Sequence, residues 1–315
     1  MNARRAGRFG GVLITGGSRG LGLELAREFG QRGARVAICA RDAEEVDRAV
    51  GGLRQRGTVC TGVVVDITNR ERMDAAVPSA VQWLGGIDIL VNNAGVIQVG
   101  PRDEMTLDDY HRAMDAHFWG PLYAAEAVLP YLRERRQGSI VNITSIGGRI
   151  SVPHLLPYSA SKFALVGYSE GLRAELLPEN IFVTTVVPGL MRTGSPEKAE
   201  FKGHHRLEYA WFVTLDSLPF VSVDVTEAAR LIVDAAERGD AELTISVPAK
   251  LGSIVHGIFP GFVSDALSFV ARLLPRPGGV GKASRRGAES HSVFAPSPLT
   301  TATQERATTQ NEVRA

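Results

Sequence analysis

The 315-residue chain has few cysteines, little net charge and no clean membrane-spanning run. Its two cysteines, Cys39 and Cys60, lie in apolar segments typical of strands, which favours buried thiols over a disulfide. A formal net charge of +1 gives no electrostatic reason to expect nucleic acid as a partner. The N-terminus lacks the apolar segment of a secretory signal, and the most apolar stretch, 251–274, contains charged residues and a proline. We therefore expect a soluble, cytoplasmic protein.

Apolar segments typical of strands alternate with helical patterns along most of the chain. Strands buried on both faces and separated by helices indicate a parallel sheet with helices on both sides. Right-handed crossovers then give an α/β, doubly wound (Rossmann) fold with about seven strands. The strand candidates are 12–15, 35–40, 59–65, 87–91, 139–144, 181–187 and 241–247.

Three regions follow from the composition. Residues 1–250 are expected to form a single catalytic domain, with a substrate loop at about 193–225. Residues 251–274 show an i, i+3, i+4 apolar rhythm, which predicts a helical extension. This extension could cover the pocket, form a dimer contact or lie on a membrane surface, and packing on its own domain is the leading expectation. Residues 275–315 are rich in Pro, Gly, Ser, Thr and charge, which predicts a disordered tail.

A glycine-rich turn, Thr15 to Gly22, joins the first predicted strand to the first predicted helix. Glycines let the backbone turn tightly and approach a pyrophosphate, and the helix N-terminus offers free N–H groups. No Gly-Lys-Ser/Thr ends this turn, so a mononucleotide-binding loop is disfavoured. The context predicts a dinucleotide site.

The spacing of this turn, T-G-x-x-x-G-x-G, resembles the short-chain dehydrogenase/reductase family. Further motifs of that family follow in order: Asn92-Asn93-Ala94-Gly95, Ser145, Tyr158-x-x-x-Lys162, and Pro188-Gly189 with Thr193. The resemblance runs from residue 11 to about residue 247. It implies an enzyme that moves a hydride between a nicotinamide cofactor and a small-molecule carbonyl or alcohol.

The same resemblance implies a cofactor site and a cofactor preference. NAD-specific relatives carry an acidic residue where Ala40 stands, whereas Arg41 and Arg19 can pair with a 2′-phosphate. This favours NADP(H), with NAD(H) possible; both arginines could also be solvated surface residues. Asp66 is either an adenine contact or a turn residue. The implied cofactor-binding residues are Thr15, Gly16, Ser18, Arg19, Gly20, Leu21, Gly22, Arg41, Asp66, Asn93, Ala94, Gly95, Tyr158, Lys162, Pro188, Gly189 and Thr193.

The candidate catalytic residues are Ser145, Tyr158, Lys162 and His117. Tyr158 and Lys162 are four residues apart on a predicted helix and share one face. A cation about 4 Å from a phenol is worth roughly 4 kcal/mol at an effective dielectric of about 20, enough, together with the positive nicotinamide ring of the oxidised cofactor, to bring the tyrosine pKa toward neutrality. Tyr158 then acts as acid or base, and Ser145 stabilises the carbonyl oxygen.

His117 stands where the family usually has an asparagine in a proton relay. A histidine can also donate and accept, so a relay through His117 is one hypothesis, and a packed histidine with both nitrogens satisfied is the other. The remaining histidines lack convincing metal spacing, so no metal is predicted.

Aromatic and aliphatic residues in the variable loop favour either an apolar pocket for a lipophilic substrate or simple core packing. A regulatory nucleotide-binding protein without turnover is the alternative to a carbonyl reductase or alcohol dehydrogenase, and a homo-oligomer is expected. The residues of the loop are Phe201, Tyr209, Trp211, Phe212, Leu215, Leu218 and Phe220.

Overall fold

A seven-stranded parallel sheet forms the centre of the molecule in a computed structural model that describes residues 10–218, 222–292, 295, 307 and 309–312. The strands of this sheet and of two smaller sheets are β1 (Gly11–Thr15), β2 (Arg35–Ala40), β3 (Cys60–Val64), β4 (Ile89–Asn92), β5 (Gln98–Val99), β6 (Gly138–Ile143), β7 (Ile181–Pro188), β8 (Leu190–Arg192), β9 (Glu200–Phe201), β10 (Ser222–Asp224), β11 (Glu242–Ile245) and β12 (Arg285–Arg286). The order β11-β7-β6-β4-β1-β2-β3 confirms the predicted doubly wound fold. Two small sheets, β10-β8 and β12-β9-β5, lie outside it.

Helices cover both faces of this sheet. They are α1 (Gly20–Gln31), α2 (Ala43–Gln55), α3 (Arg70–Leu84), α4 (Leu107–Met114), α5 (Gly120–Glu134), α6 (Leu156–Leu176), α7 (His205–Ser217), α8 (Val225–Arg238), α9 (Val247–Ile258) and α10 (Pro260–Ala271). Short 3₁₀ turns occur at Arg102–Glu104, Ile146–Gly148, Leu177–Glu179, Ser195–Glu197 and Gly287–Glu289. A π-helical segment, Asp115–Trp119, separates α4 from α5.

Alternation of side chains along β1 explains why two cores form. Val12 and Ile14 pack on the face covered by α1 and α8, whereas Leu13 packs on the opposite face against α3 and α5. Both cysteines are buried and free, as predicted. Because β1, β4, β6 and β7 are parallel, their carboxyl ends meet at one edge, where strand order reverses and ligands bind in folds of this kind.

The hairpin formed by α9 and α10 (residues 247–271) differs from the leading expectation that this stretch packs on its own domain. Only Ala249 is buried, and Phe259, Phe262 and Phe269 are 60%, 69% and 62% exposed. The reason is geometric, since α9 contacts the body of the protein near its start and then extends away with α10. No described helix is long and apolar enough to span a bilayer.

The predicted disordered tail is wrong for the described part of 275–315. Strand β12 pairs antiparallel with β9, the Gly287 N–H donates to the Ala199 carbonyl at 2.9 Å, and Ser290 is fully buried. Backbone hydrogen bonds, rather than apolar burial, hold this segment. Residues 293–294, 296–306, 308 and 313–315 lie outside the described residues, as does Phe220 of the predicted substrate loop.

Candidate active site

A cavity of about 550 Å³ lies at the carboxyl edge of the sheet, between the glycine turn and the start of α6. It brings together all the candidate residues predicted from the sequence except Thr15 and Gly22. Its volume falls in the range of ligand pockets that hold small molecules and cofactors. Gly16 therefore shares one site with Ser145 and Tyr158, which lie 129 and 142 positions later in the sequence.

The backbone of the glycine turn leaves no room for a side chain at its glycine positions. Gly16 and Gly20 have φ values of +63° and +55°, and a Cβ at Gly22 would lie 2.2 Å from the Gly16 carbonyl oxygen. Thr15 does not face the cavity because its hydroxyl accepts hydrogen bonds from the Asn93 and Ala94 N–H groups, at 3.0 and 3.1 Å. The turn thus presents backbone N–H groups of the α1 N-terminus to the cavity, which fits a pyrophosphate.

The end of β2 forms the adenosine side of the cavity. Ala40 ends the strand, and the exposed Arg41 lines the cavity beside it. Arg19 pairs with Glu45 at 3.4 Å, and Lys198 pairs with the same carboxylate at 2.9 Å. Sequence reasoning missed Glu45 and Lys198, because a glutamate in the first turn of a helix and a lysine in a variable loop carry no motif.

The Asp66 carboxylate accepts hydrogen bonds within the turn after β3, and Asp66 also lines the cavity. Its Oδ1 accepts from the Thr68 N–H at 3.0 Å and from the Thr68 hydroxyl at 2.9 Å. One carboxylate oxygen therefore stabilises the turn, which bears out the structural role that the sequence allowed. Its presence among the residues lining the cavity keeps the adenine contact as a hypothesis.

Ser145, Tyr158 and Lys162 meet at the opposite end. Burial raises the pKa of Tyr158, while a hydrogen bond with the Ser145 hydroxyl lowers it and the charge of Asp216 raises it. Burial lowers the pKa of Lys162 to about 7, and its ammonium donates to the Ile143 carbonyl at 2.9 Å. In this state the expected lowering of the tyrosine pKa by Lys162 is absent, because desolvation disfavours charge on both groups.

The π-helical segment places His117 beneath these residues. Its Nε2 accepts from the Val96 N–H at 3.1 Å, and its Nδ1 lies 2.7 Å from the Ser161 hydroxyl, which itself donates to the Tyr158 carbonyl. Nδ1 therefore carries the hydrogen. Burial, and then the charge of Lys162, hold the pKa of His117 well below its usual value. Both ring nitrogens are engaged, which argues against the proton-relay hypothesis and favours a packed, neutral histidine.

The aromatic residues of the variable loop form a separate core. Phe201, Tyr209 and Phe212 are buried in one cluster, with Trp211 against it, and none of them lines the cavity. The predicted choice between a lipophilic pocket and core packing is thus decided for core packing at these positions. Pro188, Gly189 and Thr193, by contrast, do line the cavity.

Comparisons with known proteins agree with this geometry. The family model described as short chain dehydrogenase matches residues 11–202. The dehydrogenase/reductase SDR family member 7B of Mus musculus is 33% identical over 267 residues, which are 83% of this chain and 81% of that protein. The crystal structure of a short-chain dehydrogenase from Streptomyces avermitilis has a TM-score of 0.71 at 31% identity and covers 83% of this chain and 97% of its own.

A third similar protein is a variant actinorhodin polyketide ketoreductase solved with NADPH. Its TM-score is 0.67 at 28% identity, with 78% of this chain and 98% of that chain covered. The chain therefore belongs to the short-chain dehydrogenase/reductase family and is an oxidoreductase. Its members act on small-molecule substrates with NAD or NADP, which agrees with a cavity that joins a glycine turn to a tyrosine and a lysine.

Proposed function

We propose that this enzyme reduces a lipophilic carbonyl compound to an alcohol with NADPH. The observation that carries the proposal is that Ser145, Tyr158 and Lys162 line the same cavity as the glycine turn. These intact residues, together with the oxidoreductase names of its relatives, argue against a regulatory protein without turnover.

The chemistry follows from the tyrosine and its neighbours. The dinucleotide, when bound, supplies the hydride that the carbonyl carbon accepts. The Tyr158 hydroxyl donates its proton to the carbonyl oxygen, and the raised pKa keeps that proton on the phenol at neutral pH, which favours reduction. The Ser145 oxygen accepts from the Gly147 N–H at 3.0 Å, and its hydrogen, which is shared with the Tyr158 oxygen here, would stabilise the substrate oxygen when the carbonyl binds. Lys162 would hold the nicotinamide ribose and assist the phenolate.

Substitution of the tyrosine tests this proposal. Tyr158→Phe should lower NADPH-dependent reduction of a carbonyl panel by about 10²–10⁴-fold, the usual contribution of a general acid, with cofactor binding retained. Tyr168→Phe, at a half-buried tyrosine of the same helix, is the matched control and should keep its activity. Turnover in Tyr158→Phe comparable to wild type would refute the catalytic assignment.

The preference for NADPH is supported by charge at the adenosine side. Ala40 leaves the end of β2 without an acid, and Arg41 lines the cavity next to it. The similar ketoreductase was solved with NADPH. Arg41→Ala should weaken NADPH binding about tenfold, the value of a hydrogen bond to a charged group, and leave NADH binding unchanged. Arg56→Ala, at an exposed arginine directly after α2, is the control. Equal losses of NADPH and NADH binding in Arg41→Ala would contradict the preference.

A lipophilic substrate is supported by the position of the α9–α10 hairpin. A Cβ at Gly189, which lines the cavity, would lie 3.3 Å from the Cβ of Ala249, and one at Gly252 would lie 3.2 Å from Ile150. The apolar hairpin therefore begins beside the reacting end of the cavity. For methyl ketones of rising length, kcat/KM should increase about fourfold for each methylene, from roughly 0.8 kcal/mol per buried CH₂. A flat series would contradict the lipophilic class.

We also propose that the hairpin binds the surface of a phospholipid bilayer. Each helix has 12 residues, or about 18 Å at 1.5 Å per residue, against a hydrocarbon core of about 30 Å, so it can lie on the surface and not span it. Exposed phenylalanines occur on α10 and at the turn before it, and α9 carries the exposed aliphatic residues Leu251, Ile254 and Ile258. The cations Lys250, Arg272 and Arg276 accompany a single carboxylate, Asp265, which suits anionic headgroups.

Vesicle flotation tests this contact. With vesicles of neutral and anionic phospholipid, Phe262→Ser combined with Phe269→Ser should reduce binding about a hundredfold, from roughly 1.5 kcal/mol or more for each buried phenylalanine. Leu107→Ser combined with Leu177→Ser removes exposed leucines elsewhere and should have no effect on vesicle binding.

Sedimentation of the same proteins tests the predicted homo-oligomer. If the phenylalanine variant loses self-association and keeps vesicle binding, the hairpin is a protein interface instead.

A further inference from the structure

The last described residues of the chain, 309–312, lie on the glycine turn. The Gly20 N–H donates to the Gln310 carbonyl at 3.0 Å, and the Asn311 amide donates to the Ser18 carbonyl at 2.9 Å. Glu312 enters the cavity, where its carboxylate pairs with Arg19 at 3.2 Å. A polar segment that the sequence marks as a tail thus contacts the groups predicted to hold the cofactor phosphates.

Helices α1 and α2 hold this segment from both sides. Arg27 of α1 donates to the Thr309 carbonyl at 2.9 Å, and the Gln310 amide donates to Glu24 at 2.6 Å. From α2, Arg48 donates to the Asn311 side-chain oxygen at 3.1 Å. Gln310 is fully buried and Glu312 is 3% exposed. Side-chain and backbone groups of two helices therefore form a receptor for these four residues.

Ala307 fixes the approach of the segment. The Glu312 N–H donates to the Ala307 carbonyl at 2.9 Å, which closes a turn. A Cβ added at Gly194 would lie 2.3 Å from the Ala307 Cα, so the two backbones are in close contact. A side chain larger than alanine at position 307 has no room in this arrangement.

The segment and a dinucleotide need the same groups. Gly20 begins α1, and its N–H points to where a pyrophosphate would bind; this N–H is already donated to Gln310. A Cβ at Gly20 would lie 2.8 Å from a Glu312 carboxylate oxygen, so that oxygen lies where the backbone should approach the phosphate. Arg19, a predicted partner of the 2′-phosphate, pairs with Glu312 and Glu45.

We propose that Ala307 and residues 309–312, which we call the segment 307–312, are an autoinhibitory segment that occupies the phosphate end of the dinucleotide site and leaves it when the cofactor binds. The inference rests on the proposed dinucleotide site. It differs from a lid that closes over bound cofactor, because a lid would leave the Gly20 N–H for the phosphate. The two arrangements give opposite signs for every measurement below.

Competition of this kind lowers the apparent affinity by the fraction of molecules with an open site. If about one molecule in ten is open, displacing the segment tightens cofactor binding about tenfold. The test uses the full-length chain with Ala307→Leu and Asn311→Ala, which we call the undocked variant. Its matched control carries Ala283→Leu and Gln55→Ala, the same changes in size and amide content at exposed positions. NADPH binding is measured by cofactor fluorescence.

The undocked variant should bind NADPH about tenfold more tightly than wild type, and the control should match wild type. A chain ending at Arg306, with its thermal melting checked, should reproduce the undocked variant. Equal or weaker NADPH binding in both would overturn the proposal, and weaker binding would indicate a lid. If no form binds NADPH or NADH, the dinucleotide function itself fails and the inference falls with it.

Proteolysis gives a readout that needs no turnover. Trypsin cleaves after Arg306 and Arg314, on either side of the segment. Saturating NADPH should speed cleavage after Arg306 in the wild-type chain, because the segment is then displaced. In the undocked variant NADPH should change the rate little. Slower cleavage with NADPH would mean that the segment stays on the bound cofactor, and the autoinhibitory role would be wrong.

Discussion

The α9–α10 hairpin and the segment 307–312 are opposite in composition and opposite in burial. The hairpin is apolar, yet Phe262 is 69% exposed and only Ala249 is buried. The segment is polar, yet Gln310 and Glu312 are buried against α1. Composition alone predicted the reverse, with the hairpin packed on the domain and the tail disordered.

The difference shows that the hydrophobicity of a segment describes the free energy it gains on leaving water. It does not show whether the rest of the chain offers a surface on which the segment can pack. The hairpin has a large gain and almost no receiving surface on its own chain, which agrees with an external partner. The tail has a small apolar gain, but the first turn of α1 offers N–H groups without helical partners. Hydrogen bonds to such groups can hold a polar segment that has no core of its own.

The fold was predictable because its signals are local. Alternating apolar strands and helices gave the seven-stranded sheet, and the motif residues around Gly16, Ser145 and Tyr158 meet in one cavity as expected. The electrostatics were not predictable from spacing. The pKa values of Tyr158 and Lys162 depend on how deeply the fold buries them, and burial is a property of the whole chain.

His117 and the tail show the same limit. The sequence allowed either a relay or a packed ring for His117, and the partners Val96 and Ser161, 21 and 44 residues away, decide between them. The contacts of Asn311 with Ser18 and Glu45 join residues 293 and 266 positions apart. No motif marks such pairs, so only the folded chain reveals them.

The largest expected effect is the difference in the free energy of unfolding between substitution of a buried phenylalanine and of an exposed one. Phe201 is fully buried against Tyr209 and Phe212, whereas Phe262 of the hairpin is mostly exposed. Phe201→Ala should lower the free energy of unfolding by about 3–5 kcal/mol, the cost of a large cavity. Phe262→Ala should change it by about 0.5 kcal/mol or less, as for a surface site.

Chemical denaturation of the two variants beside wild type measures this contrast. A large loss of stability for Phe262→Ala would show that the hairpin packs on the domain after all, and the contrast between the two C-terminal segments would disappear.

An intermediate effect should come from residues 277–292, which belong with the buried tail rather than with the hairpin. Ending the chain at Arg276 removes β12, the bond from Gly287 to Ala199 and the contact of His291 with Glu197. Loss of these hydrogen bonds should lower stability by about 2–3 kcal/mol, at roughly 1 kcal/mol each.

A chain ending at Ser292 keeps all of these contacts and is the control for the Arg276 truncation. Both truncated chains lack the docked contacts of Gln310 and Glu312, so the difference of about 2–3 kcal/mol is expected between these two chains. Equal melting temperatures for the two truncated chains would restore the original expectation of a disordered tail over 277–292.

The smallest effect concerns the pH dependence of the docked segment. Burial raises the pKa of Glu312 to about 7 from 4.5, while the cations Arg19 and Lys198 lower it and the acids Glu45 and Glu197 raise it. The docked state thus binds a proton more tightly than the free segment. Its stabilisation is complete below the free pKa and is lost as pH rises through about 7, so docking should weaken about fivefold between pH 6 and pH 7. The ratio of NADPH dissociation constants, wild type over undocked variant, should fall by that factor, and titration of the cofactor cancels in the ratio. Glu312→Gln, which cannot ionise, should keep the ratio constant with pH. A ratio that stays flat in wild type, or rises, would show that Glu312 is not buried in the docked segment, and the contrast with the exposed hairpin would lose its sharpest feature.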